Sequence, residues 1–169
     1  MSGITLVVEE EGWRAHRGLQ KRLKLAAEAA RKAAKLKGDV TILLSGDKKL
    51  AALNHDFRGK SKPTNVLSFP GGSMNGRTGR HAAASDRFAS AAAPGYAGDI
   101  AIAYGVTAAE AKAANKKFID HATHLTVHGV LHLAGYDHER PKDAKVMEPL
   151  EVKILARLGI ADPYVMRPR

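Results

Sequence analysis

The chain has 169 residues, 44% hydrophobic and 26% charged, which is enough to bury a core and rules out a wholly disordered chain. Its 27 Lys and Arg against 17 Asp and Glu leave a formal charge of +10, the balance of a soluble domain whose partners are polyanions, either nucleic acid or an anionic membrane surface. There is no cysteine, so disulfides, thiolate zinc sites and cysteine nucleophiles are excluded, and any metal must rest on His, Asp or Glu.

The opening MSGITLVVEEEGW lacks a basic n-region and has only a five-residue apolar run, Ile4 to Val8, so it is not read as a signal peptide. No apolar stretch approaches the roughly 18 residues that cross a bilayer. The expected setting is the cytoplasm, with no membrane partner.

Ile4 to Glu9 is β-branched and apolar and predicts a first strand. From Arg14 to Lys37 the pattern is helical, with Leu19, Leu23, Ala26, Ala30 and Ala33 on one face and Gly38 as the expected stop. This segment carries nine Lys or Arg against the single acid Glu28. Arg14, Arg17, Lys21, Lys24, Arg31, Lys32 and Lys35 fall opposite the apolar stripe, a single-sign face that suits a polyanion better than a membrane. Val40 to Leu44 predicts a second strand, and Asp47 opens a short helix carrying Leu50, Leu53 and Phe57. Lys62-Pro63-Thr64-Asn65 is turn chemistry before a third strand, Val66 to Phe69.

Residues 71–97 break the pattern: 17 of these 27 are Gly, Ala, Ser or Pro, which predicts a flexible Gly/Ala-rich insertion inside one domain. Asp99 to Tyr104 is a fourth strand, and Thr107 with Glu110 forms a capping box that should open a helix. Two more helices are expected, Phe118 to Ala134 stopped by Gly135, and Lys142 to Leu158 stopped by Gly159, the latter with Val146, Leu150, Ile154 and Leu158 inward. The fold class is therefore α/β (α+β): a single domain over residues 1–169, with about four strands in a mixed sheet and about five helices.

Five of the eight histidines lie between residues 121 and 138. On a helix, His121, His124, His128 and His132 share a stripe roughly 80° wide, among Leu125, Val127, Val130, Leu131 and Leu133. Burying adjacent imidazoles is costly unless something binds them. His128 and His132 are i and i+4, Gly135 lets the chain turn, and His138 returns to the same point, giving the frame H-x-x-x-H-x-x-G-x-x-H. This places a zinc site at the end of a central buried helix, one ion per chain on His128, His132 and His138, with an open fourth position. Nickel or copper could compete in vitro. The spacing is that of metzincin zinc peptidases, but Gly129 stands where those enzymes carry a glutamate base. Asp137 and Glu139 flank the third histidine as candidate bases or simple turn residues, and His121 and His124 are read as supporting or packing residues.

HGVLHLAGYDH resembles the hallmark of the YbeY family of bacterial endoribonucleases, the ribosomal RNA maturation factors. LNHDFRGKSKPTNVLSFP and GDIAIA resemble that family's second and third blocks, LGIADPY also looks familial, and the likeness covers most of residues 40–164. The segment 71–97 is longer than the family's usual connection between those blocks. The resemblance implies a small α/β fold with zinc at the base of a positively charged groove. It implies single-strand-specific, zinc-dependent endoribonuclease activity in small-subunit (16S) ribosomal RNA 3′-end maturation and ribosome quality control, with ribosomal RNA and the small ribosomal subunit as partners. Carried over by position, His128, His132 and His138 are metal ligands, His128 and Arg58 are catalytic, and Arg58 matches the family's functional arginine. A guanidinium there can grip a phosphate bidentately, and Lys60 and Lys62 are candidate substrate contacts beside it. A zinc peptidase and a non-enzymatic RNA-binding assembly factor with structural zinc are the competing readings.

Overall fold

The computed structural model describes residues 3–60, 63–71 and 95–165. Strand β1 (Ile4–Val8) leads through a short 3-10 turn (Glu11–Ala15) to helix α1 (Leu19–Ala33). Strand β2 (Asp39–Ser45), helix α2 (Asp47–Arg58) and strand β3 (Val66–Pro70) follow. Strand β4 (Tyr96–Ala103) runs directly into α3 (Tyr104–Ala113), and α4 (Phe118–Leu133) and α5 (Pro141–Arg157) complete the domain. The sheet order is β1-β2-β4-β3. The first three of these strands are parallel, and β3 is antiparallel against β4, with Ser68 opposite Ile100. The result is one α+β domain with, among the described residues, a four-stranded mixed sheet and five helices.

Strand alternation divides the core between the two faces of the sheet. Val40, Ile42 and Leu44 of β2, with Ile100 and Ile102 of β4, pack under α1, α4 and α5. Leu43, Ala101 and Ala103 point the other way, against Leu50 and Leu53 of α2. Helix α4 is the central element, buried at Leu125, Val127, Val130 and Leu131 among others.

Four boundaries differ from the sequence reading. The first helix does not run unbroken from Arg14. Trp13 turns fully into the core, donating its indole N–H to the Ser45 carbonyl at 2.9 Å, and Gly18, at φ +79°, redirects the chain before α1 begins. That helix is closed by Lys35, not Gly38: Lys35 adopts φ +56° while Leu36 N–H bonds back to the Arg31 carbonyl at 2.9 Å. Gly38 is needed for a different reason, since a Cβ there would stand 2.5 Å from the Gly95 carbonyl oxygen. The Thr107–Glu110 capping box does not form. Helix α3 has already started at Tyr104, Thr107 Oγ1 donates to the Ala103 carbonyl at 2.6 Å, and Glu110 reaches His121 and Asn65 instead. On α5, Ile154 is buried and Leu150 and Leu158 pack against the core as expected, but Val146 is 60% exposed, and Met147, Glu151 and Leu155 are buried beside them. Of the proposed insertion 71–97, residues 72–94 lie outside the described residues.

Candidate metal centre and its groove

Helix α4 brings His128 and His132 to one side, a single turn apart, at its C-terminal end. Gly135 then takes φ +99° and Tyr136 N–H bonds back to the Leu131 carbonyl at 3.0 Å, which ends the helix and swings the chain round. Asp137 stabilises the return, its Oδ1 accepting the backbone N–H of His138 at 2.7 Å and of Glu139 at 3.2 Å. Those two bonds hold its carboxyl below the usual range and give it a turn-forming role.

Three ring nitrogens meet as a consequence. His132 Nε2 lies 3.0 Å from His128 Nε2 and 3.1 Å from His138 Nδ1. Ligands at 2.0–2.1 Å from a tetrahedral zinc stand roughly 3.3 Å apart, so this donor set fits such an ion closely. Burial, with His128 and His138 alongside, pushes the His132 pKa down to about 4, which keeps the ring neutral and its lone pair free. A second grouping of ligand-capable atoms, His124, His128 and Glu151, overlaps the first through His128.

Behind His128 lies a carboxylate that sequence reasoning missed. Glu151 of α5 is fully buried. Its Oε2 stands 2.6 Å from His128 Nδ1 and 3.8 Å from His124 Nε2, and Tyr164 donates its hydroxyl to Oε1. Burial by itself would raise the Glu151 pKa, but the facing His124, His128 and Tyr164 groups outweigh it and hold the group at about 2. The same contact and burial raise Tyr164. The available signal was a glutamate within the run Met147, Glu151, Ile154 and Leu155, on the buried side of the helix.

His128, His132 and His138 line a groove of about 880 Å³ that Arg58 and Lys60 also line. Arg58 is the last residue of α2, and Gly59 at φ +75° ends the helix there. Lys62 lies outside the described residues. His121 and His124 also line the groove, His121 bonding Glu110 at 2.9 Å, and neither belongs to the three-histidine convergence. The α1 face is elsewhere: Lys21 and Lys24 border a separate depression with Leu25 and Glu28.

Gly129 is determined by packing. A Cβ there would stand 2.9 Å from Ile100 Cγ2, and its carbonyl accepts the Ser68 hydroxyl at 3.0 Å, so α4 rests directly on β3 and β4 at this point. Position 129 faces the sheet, and a peptidase-type glutamate has no room.

The family model described as Endoribonuclease YbeY matches residues 8–159. The chain belongs to that family. It is thereby related to enzymes that hydrolyse internal phosphodiester bonds of RNA, and Arg58, the three histidines and Glu151 all fall within the matched region. Endoribonuclease YbeY of Maricaulis maris is 41% identical over 166 residues, covering 97% of this chain and 92% of the relative. That of Chelativorans is 46% identical over 148 residues, covering 88% and 82%. The solution structure of TM1509 from Thermotoga maritima superimposes with a TM-score of 0.53 at 25% identity, over 98% of this chain and all of that one. No helix among the described residues is long and apolar enough to cross a membrane.

Proposed function

We propose that this chain is a zinc-dependent endoribonuclease specific for single-stranded RNA. It acts in small-subunit (16S) ribosomal RNA 3′-end maturation and ribosome quality control, on the small ribosomal subunit in the cytoplasm. The observation that carries the reading is the convergence of three imidazole nitrogens in a groove also lined by Arg58 and Lys60. His128, His132 and His138 would hold one zinc ion. When bound, that ion would supply Lewis acidity to a phosphoryl oxygen or to water.

The remaining chemistry belongs to the chain's own residues. Arg58 grips the scissile phosphate through a guanidinium fork and opposes the charge that grows on it during cleavage. Lys60 and Lys62 add positive charge along the entering strand. The α1 face adds sequence-independent affinity for the phosphate backbone. A peptidase reading loses support because no acid can occupy position 129 against Ile100. A purely structural zinc would ordinarily have four protein ligands, whereas three converge among the described residues.

The test is metal analysis of the purified protein coupled to cleavage of single-stranded RNA with and without chelator. One zinc per chain, with activity lost on chelation and restored by zinc, is expected. Undiminished cleavage by metal-free protein would overturn the metal dependence.

A further inference from the structure

We propose that Glu151 is a positioning residue for this centre: its buried carboxylate holds His128 by the Nδ1–H so that Nε2 faces the cluster, and Tyr164 pins that carboxylate from the chain segment beyond α5. The inference rests on the trihistidine metal reading and adds two residues outside the ligand set.

A neutral imidazole has one N–H and one lone pair, and whichever nitrogen carries the proton cannot bind a cation. At 2.6 Å from Nδ1, the Glu151 carboxylate requires the proton there, which leaves the lone pair on Nε2, the nitrogen 3.0 Å from His132 Nε2. The hold comes from a different helix, so the ring is fixed both by its own backbone on α4 and by α5. A fully buried carboxylate is tolerable only when its oxygens are satisfied. Here each oxygen has its own donor: Oε2 has His128 Nδ1 and Oε1 has the Tyr164 hydroxyl. Among the described residues no carboxylate bonds the outer nitrogen of His132 or His138, so His128 is the ring oriented in this way.

The overlapping group of His124, His128 and Glu151 suggests a different use, with Glu151 itself a metal ligand. The geometry opposes it. A cation there would have to displace both the His128 N–H and the Tyr164 O–H from a carboxylate that water does not reach.

Partners of this kind contribute about 10–100-fold to metal affinity. The experiment titrates zinc into the full chain against a chromophoric chelator, for the wild type, Glu151→Gln, Glu151→Met, Tyr164→Phe and His128→Ala. Imidazole nitrogen NMR of the zinc-free protein gives the His128 tautomer. The expected result is one ion per chain throughout the Glu151 and Tyr164 variants, with zinc bound roughly 10–100-fold more weakly in both Glu151 variants and less affected in Tyr164→Phe. His128 should be protonated at Nδ1 in the wild type and mixed in Glu151→Met. If Glu151→Met does not fold, Glu151→Gln and Tyr164→Phe decide the matter. Wild-type affinity in the Glu151 variants, when His128→Ala has lost zinc, overturns the positioning role alone. Zinc retained by His128→Ala overturns the underlying metal reading. Two ions in the wild type and one in Glu151→Gln would make Glu151 a ligand and also overturn the proposal.

Discussion

Gly129 and Ile100 touch so closely that the helix carrying the histidines sits on the sheet at the smallest distance a residue permits: a Cβ at 129 would lie 2.9 Å from Ile100 Cγ2 and 3.2 Å from its Cδ1. His128, the next residue back, points away from that contact into the groove. The height of the three-histidine cluster above the sheet is therefore set by a missing side chain. Gly129→Ala should cost about 1–3 kcal/mol from overpacking, and Gly129→Glu considerably more. Chemical denaturation of the three proteins checks this, and an alanine variant as stable as the wild type would show that Ile100 yields freely.

His128→Ala should remove stoichiometric zinc, because it deletes one of the three converging nitrogens. His124→Ala should leave the metal largely in place, since its Nε2 approaches Glu151 and Tyr164, not the three-histidine centre. Metal content by mass spectrometry separates the two cases, and equal loss in both would disprove the ligand assignment.

Arg58→Glu should lower RNA turnover at least ~10-fold, the scale of a lost charge-assisted contact worth about 1.5–3 kcal/mol. Arg58 ends its helix at the groove wall, so the melting temperature should hardly change. A drop of several degrees would mark the arginine as structural.

Stability should fall as pH rises from about 4 to about 8 on account of Asp99. Burial raises its carboxyl to about 8, and its Oδ1 has no hydrogen-bond partner among the described residues. Between its ordinary value and 8 the folded chain holds a proton that the unfolded chain has released. Folding is therefore favoured fully below the lower value and progressively less above it. Asp99→Asn should flatten this part of the profile, and urea midpoints measured at pH 5 and pH 8 would reveal it. A wild-type slope that survives the substitution would assign the effect to another group.

The exposed α1 lysines should bind RNA without sequence choice. Replacing Lys21, Lys24 and Lys35 with Gln should weaken binding to all single strands alike and flatten the log K against log salt slope by roughly two units. Zinc content and cleavage at saturating RNA should survive. An unchanged slope would confine the polyanion to the Arg58 and Lys60 wall.

Local chemistry made much of this protein legible from its residues alone. The apolar runs that form β2 and β4, the i, i+4 pair His128 and His132, and the stop at Gly135 each depend on neighbours a few positions away, and all appear in the structure. Order along the chain was enough to place His138 near the pair. Tertiary packing decided the rest. Trp13 anchors the 3-10 turn in the core and α1 starts only after Gly18, while Lys35 does the capping expected of Gly38, where a Cβ would meet the Gly95 carbonyl. On α5, packing buries Met147 and Leu155 beside the expected Ile154 and leaves Val146 exposed, which carries Glu151 inward to His128. Glutamate on a helix is ordinarily a solvated charge. What makes this one part of the site is a donor 23 residues earlier and another 13 residues later, brought to its two oxygens by the fold.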